Sequence, residues 1–239
     1  MPRTLAWYWL KRGVASGKRG GELSVAPALL AQLELKGRVV TGDALYAQRA
    51  LSRQVVEQGG DYFWVVKANQ PSLREAIALL FANSPPWGEC FAEASQQGRH
   101  GGRRESRRLL ASTALNGYLD WPYVQQVCCV ERSVTTQGVT CQDISYAITS
   151  LSPDKAKALQ LLQVWRGHWS IENKLHYVRD VTMGEDASQV RTGSAPQVMA
   201  ALRNLTVGLL HRTGATNIAA ALRHYSYKPK EALALLGVS

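Results

Sequence analysis

RVVTGDALYAQRALSRQVVEQGGDYFWVVKANQPSLREAIALLF, residues 38–81, is the stretch on which the fold reading turns. RVVTGDA (38–44) has the β-branched, apolar content of a buried strand, and it runs into an acidic turn at Asp43. Residues 46–58 show apolar positions at helical spacing, and Gly59-Gly60 stops them. DYFWVVKA (61–68) is a second strand, rich in aromatic and β-branched residues; Asn69, Gln70 and Pro71 then open a second helix, SLREAIALLF. Strand, helix, strand, helix at this spacing predicts an α/β unit with parallel strands, here spanning residues 22–82.

Upstream, APALLAQLEL (26–35) reads as a short amphipathic helix with Pro27 in its first turn and Gly37 at its end. Residues 1–21, which include SGKRGG, have the composition of a flexible basic linker and are expected to be a disordered or atypical segment. Downstream, NSPPWGE (83–89) is a break. FAEAS, ESRRLLAST (105–113), YVQQVCCVERSV (123–134) and DISYAITSL (143–151) read as the strands of an antiparallel β insertion over residues 83–151. QQGRHGGRRESRR (96–108) holds five arginines and reads as a loop at the edge of that insertion. Its Arg103, Arg104, Arg107 and Arg108 are either phosphate contacts or solvated charges guarding a sheet edge. Residues 152–239 are predicted helical, from a start at Ser152-Pro153-Asp154 through the long helix 195–213 to two short helices ended by Gly237.

The 239 residues suffice to bury a sizeable core, and the 46% hydrophobic and 19% charged content is that of an ordinary globular protein. Lysine and arginine total 28 against 18 acids, a net charge of +10, which favours a polyanionic partner and most simply nucleic acid. Cys90, Cys128, Cys129 and Cys141 form no zinc spacing and are expected to be reduced thiols, with at least one of the adjacent pair facing a core. No run approaches the length of a membrane span and no cleavable leader is evident, so a cytoplasmic protein with no membrane partner is expected.

HWSIENKLHYVRDVTMGEDASQVR (168–191) carries the chemistry. His168, Glu172 and His176 share a helix face at four-residue spacing, with Arg179 close behind. A carboxylate on a rigid helix among basic groups suits divalent metal or phosphate chemistry; the plainer reading is a solvated, salt-bridged face. A zinc site is set aside, because His168 and His176 stand about 12 Å apart along a helix. Asp180, Glu185 and Asp186 are either helpers at a metal site or, for the last two, caps of a following helical turn.

Four ordered blocks carry a resemblance: GELSVAPALL; VVTGDALYAQ with EQGGDYFWVVKANQPSL; RGHWSIENKLHYVRDVTMGEDASQVR; and ALRNLTVGLLHR. Together they resemble the DDE transposases of insertion sequences, in the H-repeat-associated branch. The resemblance implies a ribonuclease-H-like α/β fold, of which this chain would hold part, with an antiparallel β insertion and a helical C-terminal region. It also implies three acids binding two Mg²⁺ or Mn²⁺ ions, with Asp43 matching the second aspartate and Glu172 the helical glutamate. Trp165, His168 and Arg179 stand at the family's aromatic and basic spacings around that glutamate. His168 and Arg179 would hold the scissile phosphate, and Lys67 and Asn69 would meet the DNA backbone, although Lys67 also reads as a plain strand-end lysine.

The implied partners are double-stranded DNA at transposon ends and target, and a second copy in an active homodimer. The implied activity is metal-dependent DNA cleavage and strand transfer. The chain departs from the family in one respect. The resemblance implies an aspartate-glycine-lysine strand before GELSV, yet no aspartate precedes Asp43. That departure predicts an N-terminally truncated copy with impaired activity, and keeps open a catalytically dead DNA-binding remnant. A ribonuclease-H-superfamily nuclease that cuts without joining would use the same acids.

Overall fold

A computed structural model describes residues 3–5, 22–83, 91–100, 102–171 and 177–237. The chain forms two compact units: the first holds the described residues between Arg19 and His168 with Arg3–Leu5, and the second those from Trp169 onward.

The first unit is built on one seven-stranded sheet. Its strands are β1 (Arg3–Leu5), β2 (Arg38–Gly42), β3 (Asp61–Val66), β4 (Ala92–His100), β5 (Arg103–Ser112), β6 (Gln126–Thr136) and β7 (Val139–Thr149). In space they run β1-β2-β3-β7-β6-β5-β4. β1, β2 and β3 are parallel, with Leu5 opposite Val40 and Gly42 opposite Trp64. β3 meets β7 antiparallel, and β7, β6, β5 and β4 continue as an antiparallel meander. The β-rich middle of the chain therefore extends the α/β sheet rather than making a sheet of its own. Side-chain bonds fix the β3–β7 seam: Thr149 Oγ1 donates to the Tyr62 carbonyl at 2.6 Å, and Ser150 Oγ accepts from the Tyr62 amide at 3.0 Å.

All six β3 side chains are buried, as a strand covered on both faces requires. Phe63 and Val65 face helix α4 (Ala158–Ile171), in a core with Leu109, Val130, Ala147, Leu161, Leu162 and Trp165. Phe63 meets Trp165 edge to face at 6.1 Å. Tyr62 and Trp64 stack at 5.6 Å on the other face, toward helix α2 (Arg49–Glu57). There the buried Ser52 hydroxyl accepts from both Trp64 Nε1 at 3.0 Å and Trp121 Nε1 at 3.1 Å, and donates to the Gln48 carbonyl at 2.9 Å. Alternation also sorts the adjacent cysteines. Cys128 belongs to the α4-side core, while Cys129 is buried on the opposite face, where burial pushes its thiol up to about 11. Cys128, Cys129 and Cys141 are free thiols; Cys90 lies outside the described residues.

Several boundaries differ from the sequence reading. Arg3–Leu5 is a strand paired with β2, within a segment expected to lack structure; three residues are too few for a periodic signal. Helix α1 spans Glu22–Leu30, so Pro27 sits inside it and removes a hydrogen bond to the Leu23 carbonyl. Residues 152–157 form turns, with the Lys155 and Ala156 amides both bonded to the Ser152 carbonyl, and α4 begins only at Ala158. QQGRHGGRRESRR is no loop: its residues form most of the β4–β5 hairpin.

In the second unit, a single π-helical turn at Val178–Thr182 leads to α5 (Ala195–Arg212), α6 (Ile218–Tyr227) and α7 (Pro229–Leu235). Its small core gathers Val178, Val207, Leu210 and Ile218 with Met183, Leu222, Tyr225 and Leu235. Asn217 caps α6 by accepting from the Ala220 amide at 3.0 Å. Among the described residues no helix is long and apolar enough to cross a membrane.

Candidate functional site

Asp43 stands immediately after β2, at the carboxyl end of the parallel strands, where open α/β sheets place their ligands. Its backbone is extended (φ −72°, ψ −177°), so the alternation of β2 carries through it. Val39 lies in the α4-side core; Thr41 and Asp43 follow on the same face. The carboxylate is solvent-exposed, and Oδ1 accepts from the Leu45 amide at 3.0 Å, capping the short 3₁₀ turn Ala44–Tyr46. A carboxylate oxygen is the donor type that Mg²⁺ and Mn²⁺ take, so Asp43 fits as one ligand of such an ion.

Lys67 and Asn69 lie at the same end of the sheet, just beyond β3, and both are exposed. Asn69 Nδ2 donates to the Ala44 carbonyl, and Gln70 Nε2 to the Ala47 carbonyl at 3.0 Å. These two amides brace the turn that begins at Asp43 against the start of α3 (Pro71–Ala82). Gln70 was not singled out from the sequence; its signal there was the Asn-Gln-Pro turn facing TGDA.

The four arginines named from the sequence lie on β5, and strand alternation splits them. Arg103 and Arg107 share the face of Leu109 and α4, whereas Arg104 and Arg108 take the opposite face. Arg108 forks onto Glu93 at 2.8 Å and reaches Glu131 at 3.4 Å. Arg107 pairs with Glu105 at 2.8 Å, Arg103 approaches it at 3.8 Å, and Arg132 of β6 binds it too. Burial pushes the Glu105 carboxyl up, but the Arg132 hydrogen bond and the three guanidinium charges outweigh it and hold the group below the usual range.

His168, on α4 one turn beyond Trp165, is half-buried. Glu172 and His176 lie outside the described residues. Arg179 is 5% exposed and forks onto Glu185 with Nε and Nη2. Glu185 therefore does not cap a helix, as one sequence reading had it. It lies in a turn after Gly184, whose positive φ of 61° lets the chain fold back on Arg179, and α5 starts only at Ala195. Among the described residues, no group of three or more His, Cys, Asp or Glu side chains gathers as a metal site.

The Transposase DDE domain family matches residues 14–209, and the chain belongs to that family. Among its relatives are "Putative protein YbfL" of Escherichia coli K12, 28% identical, and "H repeat-associated putative transposase YhhI" of the same strain, 27% identical; each match covers 82% of this chain and 53% of the relative. "Putative transposase YncI" of Escherichia coli O157:H7 is 29% identical over 82% of this chain and 52% of its own length. The chain thus spans about half the length of these relatives.

Proposed function

We propose that this chain serves an insertion-sequence transposase of the DDE type, which cuts DNA strands at element ends and joins them to a target. The family match over residues 14–209 carries this reading. The placement of Asp43 at the parallel strand ends supports it, and so does the net charge of +10. A ribonuclease-H-like arrangement is proposed for the parallel part of the sheet, and a homodimer for the active assembly. A cytoplasmic setting, where DNA and reduced thiols are found, goes with this reading.

Asp43 and Glu172 are the proposed metal carboxylates. The divalent ions, two in a complete site, would supply Lewis-acid stabilisation of an in-line displacement at phosphorus. The remaining roles belong to the chain. His168 is proposed to hold the scissile phosphate, and Arg179 to assist through the N–H donors that Glu185 leaves available. Lys67 and Asn69 are proposed to meet the DNA backbone near Asp43, and Arg103 and Arg107 to meet it on the α4 face of the β4–β5 hairpin; for Arg104 and Arg108, on the opposite face, the reading as solvated charges guarding the sheet edge is preferred.

The resemblance calls for a third acid, and no aspartate precedes Asp43. Cleavage by this chain by itself is therefore proposed to be impaired; the same fact favours the second reading, a DNA-binding protein without catalysis. End-labelled duplex DNA with Mg²⁺ or Mn²⁺ tests both readings, on this chain and on one extended upstream with the missing acid. Cleavage by the extended chain that is lost in Asp43→Asn and Glu172→Gln, with DNA binding retained, supports the transposase. Full cleavage by either variant removes the assignment, and DNA binding without cleavage in every form supports the second reading.

A further inference from the structure

We propose that the α4 face of the antiparallel sheet carries a phosphodiester-binding site made by Arg103, Arg107, Arg132 and Arg166, so that DNA lies on this face and not on the opposite one. The inference rests on the nucleic-acid reading above and deepens it, replacing a run of neighbouring arginines by a set that shares one face.

The register brings the set together. Arg132 stands directly opposite Arg107 across the β5–β6 ladder, and Gln96 stands opposite Arg107 on the β4 side. Arg166 reaches from α4 to donate to Gln96 Oε1, which sets a fourth guanidinium beside Arg107. Arg103, Arg107 and Arg132 converge on the single carboxylate of Glu105. Among the described residues of β4–β7, the other acid on this face is Asp143, opposite Arg132 on β7. Four cations thus meet two carboxylates. Like charges directly opposite one another destabilise a ladder; burial and the charges of Arg166 and Arg132 hold the Arg107 guanidinium below its ordinary pKa, against the opposing charge of Glu105. A concentrated cationic surplus of this kind, with Arg107 and Arg132 half-buried and Arg103 and Arg166 exposed, suits a polyanion whose phosphates release counterions on contact. It also lies on the sheet face that carries Val39, Thr41 and Asp43.

The opposite face is balanced differently. Arg108 there is neutralised by Glu93 and Glu131, Arg74 of α3 stacks over the Tyr146 ring at 5.8 Å, and the other cations among the described strand residues are Arg99 and Arg104, which face one another across β4 and β5. These two form the natural comparison pair.

The test is the salt dependence of binding to a labelled random-sequence DNA duplex of about 30 base pairs, followed by fluorescence anisotropy with the full chain. The Arg132→Gln, Arg166→Gln double variant should lower the slope of log K against log salt by about 2, at ~0.9 per phosphate contact. Lysine at both positions should restore it, because a phosphate contact needs charge rather than the guanidinium fork. Arg99→Gln with Arg104→Gln should leave the slope unchanged. If the first pair does not fold, Arg166→Gln alone, on an exposed helix position, should lower the slope by about 1. An unchanged slope in the Arg132 and Arg166 variants, or a loss confined to the Arg99 and Arg104 pair, overturns the inference while leaving DNA binding intact. No binding by the unaltered chain at low salt overturns the nucleic-acid reading itself, and the inference with it.

Discussion

A Cβ added to Gly42 would lie 2.7 Å from Cζ3 of Trp64 and 2.8 Å from the Cβ of Tyr46. β2 thus approaches the Trp64 ring with bare backbone one residue before Asp43, and the tightness of that contact sets where the carboxylate stands. Trp64 is fully buried and held by Ser52, so it cannot move aside cheaply. Gly42→Ala should cost about 1–3 kcal/mol, the usual range for overpacking. A urea titration measures it, and an unchanged midpoint would show that the ring yields.

Ser52 supports the same contact from behind. Its hydroxyl satisfies two buried indole N–H groups at once, and Ser52→Ala leaves both without an acceptor. Orphaned buried donors cost about 1–3 kcal/mol each, so the loss should be about 2–6 kcal/mol. Ser52→Ala should also alter the near-ultraviolet circular dichroism of the two tryptophans. A loss below about 0.5 kcal/mol would mean that the indoles find other acceptors.

In the second unit, Arg179 and Glu185 form a nearly buried ion pair that closes the turn at Gly184. Glu185→Gln leaves the guanidinium uncompensated and should destabilise by about 3–5 kcal/mol. Arg179→Met combined with Glu185→Leu should recover most of that loss, because two apolar side chains remove both charges together. Additive losses in the double-mutant cycle would show that the two residues are not coupled.

Glu105 gives a pH dependence of known sign. Its carboxyl is held below the ordinary value of 4.5, so the unfolded chain binds the proton more readily than the folded one. Its contribution is complete above that ordinary value and is lost as pH falls through the lower folded value. The stability difference between the unaltered chain and Glu105→Gln should therefore be largest at neutral pH and shrink in acid. A difference that grows with acidification contradicts the arginine cluster around Glu105.

Within the parallel part of the sheet, β2 and β3 were legible because they are short apolar runs followed by breaks, and Asp43 stood out as the acid ending one of them, whereas the three-residue β1 was not. The hairpin that holds the arginines was hidden. Over residues 96–99 and 102–107 its side chains are exposed or half-buried, so no apolar alternation marks the strands, and backbone pairing with β6 supplies the order. For the same reason the sequence grouped Arg103, Arg104, Arg107 and Arg108, whereas the ladder divides them between faces and sets Arg132 beside Arg107, and α4 brings in Arg166. The Arg179–Glu185 pair escaped notice because six-residue spacing matches no helical neighbour; it needs the π-helical turn and the reversal at Gly184.

Asp43 and Glu172 are proposed above to hold the same divalent cation. Replacing Mg²⁺ by Fe²⁺ and supplying ascorbate and peroxide generates hydroxyl radicals at the bound ion, which cut the nearby backbone. The fragments can be mapped by mass spectrometry. Cuts are expected to cluster near both residue 43 and residue 172, and all to be lost in Asp43→Asn. Cuts near only one of the two, or a pattern unaltered in Asp43→Asn, would contradict that proposal.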